Sequence, residues 1–377
     1  MNIGTRLKIA RDAIGYTLEK ASEESGIGQS SLSEFENDKR EPKFSHLYRL
    51  AEIYKKRVEF FLTDELPAVN TMLWREKPDV EGEKERTQAE FRQLCEQYYS
   101  LEVLTDEVKG TKLPRLDLSR EEFDFRQANL LAEQFQRGFL LGDIPSASLK
   151  QILEEKFYIK IFHLPFLGSA ISTLSENFGA AILLNKDSKL WRRNFDLAHE
   201  LFHLLTWSVF RVDGSGGDEP SEYEEKLANA FASRLLLPTD AVKDRIEAVK
   251  SNGHEVSFGA LDEIAREFGV SLEALLWRML YLYNKPVEDI EKYIEQAKKV
   301  KKSQPLRCSY EPDKLPDRYC SLAMKVLREG KLSLMQFAKY MDMSYQQAHQ
   351  YISEDEDFTD EKVSISVAGR RANNQTF

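Results

Sequence analysis

Three residues in one short stretch have the types and spacing to hold a metal ion and to work on a water beside it. His199, Glu200 and His203 form H-E-x-x-H inside the apolar run F-D-L-A-H-E-L-F-H-L-L at residues 195–205. On a helix, positions i and i+4 lie on one face, so both imidazoles can point at one ion. Glu200 sits one residue round, where a carboxylate can take a proton from water. This is the chemistry of a zinc hydrolase, with two neutral nitrogen ligands, a third protein ligand and a position left open for water. Leu197, Ala198, Leu201, Phe202, Leu204 and Leu205 give the segment an apolar flank that buries the helix and keeps the site rigid.

The third ligand is sought in the acidic segment at residues 222–238. Its Leu227, Phe231 and Leu235, with Ala228 and Ala232, recur at helical spacing. Glu225 is the preferred ligand, with Glu222 and Glu224 as rivals, since acids at a helix start also suit the macrodipole. Asn229, one turn on, is placed to hold a ligand by hydrogen bonding. Spacing names no donor for a developing oxyanion, and His254 and Tyr223 are candidates. Cys95 lies in another amphipathic segment. Its thiolate could occupy the open metal position as a latch, although a buried, inert Cys is the commoner case.

A run ending A-H-E-x-x-H, followed by E-x-x-A-N-x-F-A-x-x-L-L-x-P, resembles the ImmA/IrrE family of metallopeptidases. The matching residues are Ala198, His199, Glu200 and His203, then Glu225, Ala228, Asn229, Phe231, Ala232, Leu235, Leu236 and Pro238. Residues 178–185 also resemble the strand preceding the active helix in that family, and the likeness covers about residues 126–280. It implies a zinc endopeptidase with His199, His203 and Glu225 as ligands and Glu200 as the base. It also implies a substrate that is often a helix-turn-helix repressor, whose cleavage would derepress a stress or phage-defence operon. The alternative is a DNA-binding regulator whose peptidase fold serves as sensor or scaffold.

The 377 residues allow two or three domains, and the 42% hydrophobic and 31% charged content is that of an ordinary globular chain. A net charge of −10 excludes a general nucleic-acid sponge, so DNA binding requires a local patch. The cysteines Cys95, Cys308 and Cys320 form no C-x-x-C pair, which argues against a disulfide scaffold and a cysteine zinc finger. No apolar run approaches membrane length and no signal-peptide core is present, so a cytoplasmic protein with no membrane partner is expected.

The elements that must position these residues follow in chain order. Residues 1–66 read as short helices with a Gly-containing turn at Gly26-Ile27-Gly28, the helix-turn-helix layout. Thr17, Gly26, Ile27, Glu36, Lys39, Arg40 and Pro42 resemble the Xre/Cro-type repressor domain. That resemblance puts Gln29, Ser30, Ser31 and Ser33 at the major groove and Lys39 and Arg40 on the backbone. Leu18 and Asp38 depart from the usual Gln and Gly. Residues 1–66 carry eleven Lys/Arg against twelve Asp/Glu, which is acidic for a DNA reader. Dimerisation or partner docking is therefore the rival role, and a homodimer is allowed.

Residues 67–125 read as a helical connector, with Phe91, Leu94, Tyr98, Tyr99, Leu101 and Leu104 on one helix face. Residues 126–285 are expected to form the peptidase domain. It begins with helices carrying Ala128, Leu131, Ala132 and Phe135, then Leu149, Ile152 and Leu153. A strand at 157–163, containing a structural His163, precedes the strand at 178–185, which is expected to run along the substrate cleft. Residues 300–314 suggest a linker within a C-terminal helical module at 300–352, and 353–377 a flexible tail. The expected fold is mainly α, with a small α+β zincin-like metallopeptidase domain behind an all-α helix-turn-helix domain.

Overall fold

The computed structural model describes residues 2–62, 71–80, 82–211, 219–250, 256–283, 292–296 and 311–360. Their contacts form two compact units, residues 1–316 and 317–377.

The first helices are α1 (Ile3–Asp12), α2 (Leu18–Ser25), α3 (Gln29–Glu36), α4 (Phe44–Ile53) and the short α5 (Glu59–Leu62). Local chemistry sets their ends. The Thr17 hydroxyl accepts the Lys20 N–H to cap α2, which stops at Gly26 in the left-handed conformation, φ +66°. Leu7, Ala10, Leu32, Phe35, Leu50 and Tyr54 form their core. The Arg11 guanidinium enters it and forks onto the Glu36 carboxylate, Nε–Oε1 2.6 Å and Nη2–Oε2 2.9 Å. Asp38 adopts φ +53°, which Asp tolerates, and its carboxylate accepts the Gly4 N–H at 3.0 Å. That contact explains an Asp where Gly is usual.

The region expected to be a connector is instead built into the second domain. Residues Met72–Trp74 form strand β1, and Glu83–Leu104 form helix α6. Three residues are too few for strand alternation to register in the sequence. Helices α7 (Phe125–Gly138) and α8 (Leu149–Lys156) follow, then strands β2 (Lys160–Leu164), β3 (Ala170–Ser175) and β4 (Gly179–Asn185). Phe157 caps α8 rather than opening the strand.

The four strands make one sheet in the order β1-β3-β4-β2. β1 and β4 are antiparallel to β3, while β2 runs parallel to β4, with Ile161 opposite Ile182. The strands are apolar on both faces because both are covered. Ile161, Ile182 and Leu184 join the main core, whereas Phe162 meets Phe91 and Tyr98 of α6 edge-on at 6.2 Å. Lys160 and Glu102, both nearly inaccessible, close the α6 side with an ion pair of 3.0 Å. β4 therefore lies inside the sheet and does not run free along a cleft. Within the sheet, β1 and β2 are the edges.

Helix α9 (Leu190–Leu205) packs on β3 and β4, and α11 (Glu222–Leu236) packs on α9. The short α10 (Trp207–Phe210) lies between them in sequence. Helices α12 (Thr239–Lys250), α13 (Phe258–Glu267) and α14 (Leu272–Tyr283) complete the unit. His163 is buried and its Nδ1 lies 3.1 Å from the Asp313 carbonyl oxygen, a structural contact.

The second unit has three helices, Asp317–Arg328, Leu334–Tyr340 and Tyr345–Asp360. Ser333 and Gln336 cap the middle helix reciprocally. The last helix extends to Asp360, so residues 353–360 are helical rather than a flexible tail. Residues 361–377, and 301–310 of the expected linker, lie outside the described residues. Among the described residues no helix is long and apolar enough to cross a membrane.

Candidate metal centre

Helix α9 presents His199, Glu200 and His203 on its buried side, each 2% exposed or less. The α9–α11 packing brings Glu225 onto both imidazoles. His199 Nε2 lies 3.2 Å from Glu225 Oε2 and 3.2 Å from His203 Nε2, and His203 Nε2 lies 3.4 Å from Glu225 Oε1. Among the described residues these three form a cluster able to hold a metal ion. Ligands about 2.1 Å from a zinc ion at tetrahedral angles stand about 3.4 Å apart. The two imidazole nitrogens have about that spacing from each other and each from one oxygen of the Glu225 carboxylate, so the donor set fits zinc.

The rival carboxylates separate cleanly. Glu222 is exposed and pairs with Lys226. Glu224 is buried and accepts from His203 Nδ1 at 2.9 Å while Arg211 clamps both its oxygens at 2.9 and 3.1 Å. Asn229 Oδ1 lies 3.1 Å from His199 Nδ1. Each ring is thus held through Nδ1, which leaves both Nε2 atoms aimed at the common point.

The electrostatics depend on burial. Glu200 has both carboxylate oxygens buried without a hydrogen-bond partner among the described residues. Burial pushes its pKa up to about 7, against the pull of the His203 and Arg75 charges. Burial and the Arg75 charge lower His199 to about 3. For His203 burial opposes the charge, but Glu224 and Glu225 prevail and hold it at about 9. Burial likewise disfavours the Glu225 carboxylate, yet hydrogen bonds from His199 and His203 take it well below the usual carboxylate range.

Two functional neighbours were not apparent in the sequence reading. Asp196, fully buried one turn before His199, has Arg75 Nε and Arg192 Nε each 3.1 Å from Oδ1 and accepts the Ser169 hydroxyl on Oδ2 at 2.5 Å. Arg75, just beyond β1, also reaches Asn229 Oδ1 at 3.5 Å. A cavity of about 1350 Å³ adjoins the site, lined by Arg75 and Asn229 and by the aromatics Trp191, Phe195, Trp277 and Tyr281.

Other expected residues lie elsewhere. Cys95 is fully buried in α6, where burial pushes its thiol far up and its charged neighbours are Lys160, Glu96 and Arg92. It is outside the metal cluster, and a thiol buried this way does not ionise readily, so the structure does not place it as a latch. Tyr223 is half exposed with its ring edge-on to Phe125, and His254 lies outside the described residues. In α3, Gln29 and Ser30 are exposed, Ser31 and Ser33 half-buried, and Lys39 and Arg40 exposed just beyond it. Arg40 also lies over the Phe35 ring.

Comparison with known proteins agrees with this division. Residues 154–280 match the IrrE N-terminal-like domain of the M78 peptidases, and residues 7–61 match a helix-turn-helix domain. An HTH-type transcriptional regulator, ImmR, of Bacillus subtilis (strain 168) is 39% identical over 62 residues, which is 16% of this chain and 49% of that protein. The chain therefore spans about half the length of this relative. A solved Mycobacterium tuberculosis transcriptional regulator shares 17% identity over 49% of this chain and 51% of its own, at a TM-score of 0.31, a likeness too loose to carry meaning for function.

Proposed function

We propose that this chain, which joins a helix-turn-helix domain to an IrrE N-terminal-like domain of the M78 peptidases, is a zinc-dependent endopeptidase. One observation carries the reading: two imidazole nitrogens and the Glu225 carboxylate converge at 3.2–3.4 Å beside the buried Glu200, whose two oxygens have no hydrogen bond among the described residues. His199, His203 and Glu225 would hold the ion, and Asn229 and Glu224 keep the two rings from turning. Zinc, when bound, supplies Lewis acidity that brings a coordinated water's pKa towards neutrality and polarises a carbonyl. Glu200 then takes one proton from the attacking water as the oxygen bonds to the carbonyl carbon. It delivers that proton to the amine nitrogen as the C–N bond breaks.

The substrate we propose is a protein, of the helix-turn-helix repressor type, whose loss would derepress a stress or phage-defence operon. The fused helix-turn-helix domain supports this, since it could bring the peptidase to an operator where such a repressor sits. Exposed Gln29 and Ser30 at the start of α3 favour DNA contact by this domain, because Gln can bond an adenine edge twice. They also sustain a second reading, a DNA-binding regulator whose peptidase fold is a sensor or scaffold.

The test is proteolysis of a repressor encoded beside this chain by purified protein and by E200Q, with zinc measured in both. Zinc in both, with cleavage by the wild type alone, supports the peptidase. Absence of zinc from the wild type rejects it and leaves the regulator.

A further inference from the structure

The oxygen of a peptide carbonyl gains negative charge as water adds to its carbon, and a donor fixed in advance is worth more than one recruited later. The sequence names no such donor. Tyr223 is turned to Phe125, and Arg75 is a further candidate among the described residues.

Arg75 is held on two sides. Its Nε lies 3.1 Å from Asp196 Oδ1, its Nη2 lies 3.5 Å from Asn229 Oδ1, and its face rests on the Phe195 ring at 5.0 Å. Nη1 is buried and has no hydrogen-bond partner among the described residues. An orphaned N–H on a buried cation is costly, and it marks a place where something absent completes the bonding. The open side is defined by what surrounds it. Arg75 lines the cavity, and its charge acts on Glu200, Glu225 and His199. Asn229, which Arg75 contacts, lines the same cavity and meets His199, so the guanidinium neighbours both the cavity and the cluster.

We propose that Arg75 is a catalytic residue of this site, donating from Nη1 to the scissile carbonyl oxygen as charge develops on it. The proposal rests on the peptidase reading above. Position 75 falls in neither matched segment, 7–61 or 154–280, so the peptidase domain would draw a donor from outside its family boundary.

The test uses the full chain loaded with cobalt(II) and titrated with acetohydroxamate, which puts an anionic oxygen on the metal and is followed in the visible spectrum. R75K keeps a cation beside Asp196, but it lacks the planar fork that lets Nε face Asp196 while Nη1 faces a ligand. A merely structural Arg75 therefore leaves R75K binding as tightly as the wild type. The donor role predicts acetohydroxamate Kd at least about tenfold weaker in R75K and in the neutral R75Q. Cobalt affinity should stay near wild type in whichever variant folds, while the melting temperature falls in R75Q, which takes one of two cations from buried Asp196. Unchanged Kd in a folded variant overturns the proposal while leaving the peptidase intact. So does a metal-loaded wild type that does not bind acetohydroxamate. A wild type that takes up neither cobalt nor zinc overturns the peptidase reading, and this proposal with it.

Discussion

The N-terminal domain and the metal centre both bury charge between packed helices, but they satisfy it differently. Arg11 meets Glu36 through two short hydrogen bonds, and its Nη1 reaches the Tyr16 carbonyl oxygen at 2.6 Å. Every guanidinium arm has an acceptor, so the pair works as an internal brace and the domain's outward chemistry is left to α3. In the metal centre, among the described residues, Glu200 has no hydrogen bond to either oxygen and Arg75 has none from Nη1. Buried polar atoms without partners are rare in proteins. The Glu200 and Arg75 atoms belong to one site, where a metal ion, a water and a peptide can supply what is missing. The difference separates charge used to hold a fold from charge reserved for a ligand.

That contrast can be broken at either end. E200Q keeps the shape of the side chain and removes the proton acceptor, so cleavage should fall by about 10³-fold with zinc content unchanged. A comparable loss of zinc from E200Q would show that Glu200 is structural. R11M leaves Glu36 buried without its cation, and should cost about 3–5 kcal/mol in the N-terminal domain. Thermal unfolding followed beside zinc content tests this, and the brace assignment fails if R11M sheds zinc before it loses stability. N229A and E224Q release one ring each, and should weaken zinc by about 10–100-fold in chelator competition. Little change in either would mean that packing alone fixes the rings.

The smallest expected effect is a proton. His203 is raised to about 9 in the metal-free protein, from an ordinary 6.5. A raised pKa gives stability that is complete below the unfolded value and is lost as pH climbs through the folded one. The metal-free protein should therefore lose stability between pH 6.5 and 9 relative to the zinc form, because the ion requires neutral His203 and replaces that proton. Zinc titration calorimetry at pH 7.5 in two buffers of different ionisation heat should register the proton's release. Identical heats in both would contradict a protonated His203.

Much of this was legible because the relevant signals are local. His199, Glu200 and His203 share one helix, and α11 carries an apolar stripe from Leu227 to Leu236 that orients Glu225 and Asn229 with it. Thr17 and Gly26 mark a cap and a stop that need only neighbouring residues. Arg75 could not be read this way. It follows a strand of three residues, too short for alternation, and its partners lie more than a hundred positions away. One clue was present: Asp196 falls on the apolar face of the zinc-type helix, and a carboxylate there requires a buried cation or donor. The sequence could demand such a partner but could not say which Arg supplies it. Strand β3 and the interior place of β4 depend on the same long-range pairing. Choosing Glu225 over Glu224 needed the crossing of two helices, since the residues are adjacent and both reach a histidine.

Because β1 pairs with β3 and Arg75 grips Asp196, the chain between the two recognisable domains is not a tether. A fragment cut at residue 126, or at the matched boundary of 154, would keep every histidine and glutamate of the cluster. It would also expose the outer edge of β3 and take one of two cations from the buried Asp196 of α9. The two domains are thus not interchangeable cassettes. A swap or a minimal peptidase would have to start upstream of Met72, and a cut made after it would remove a sheet edge.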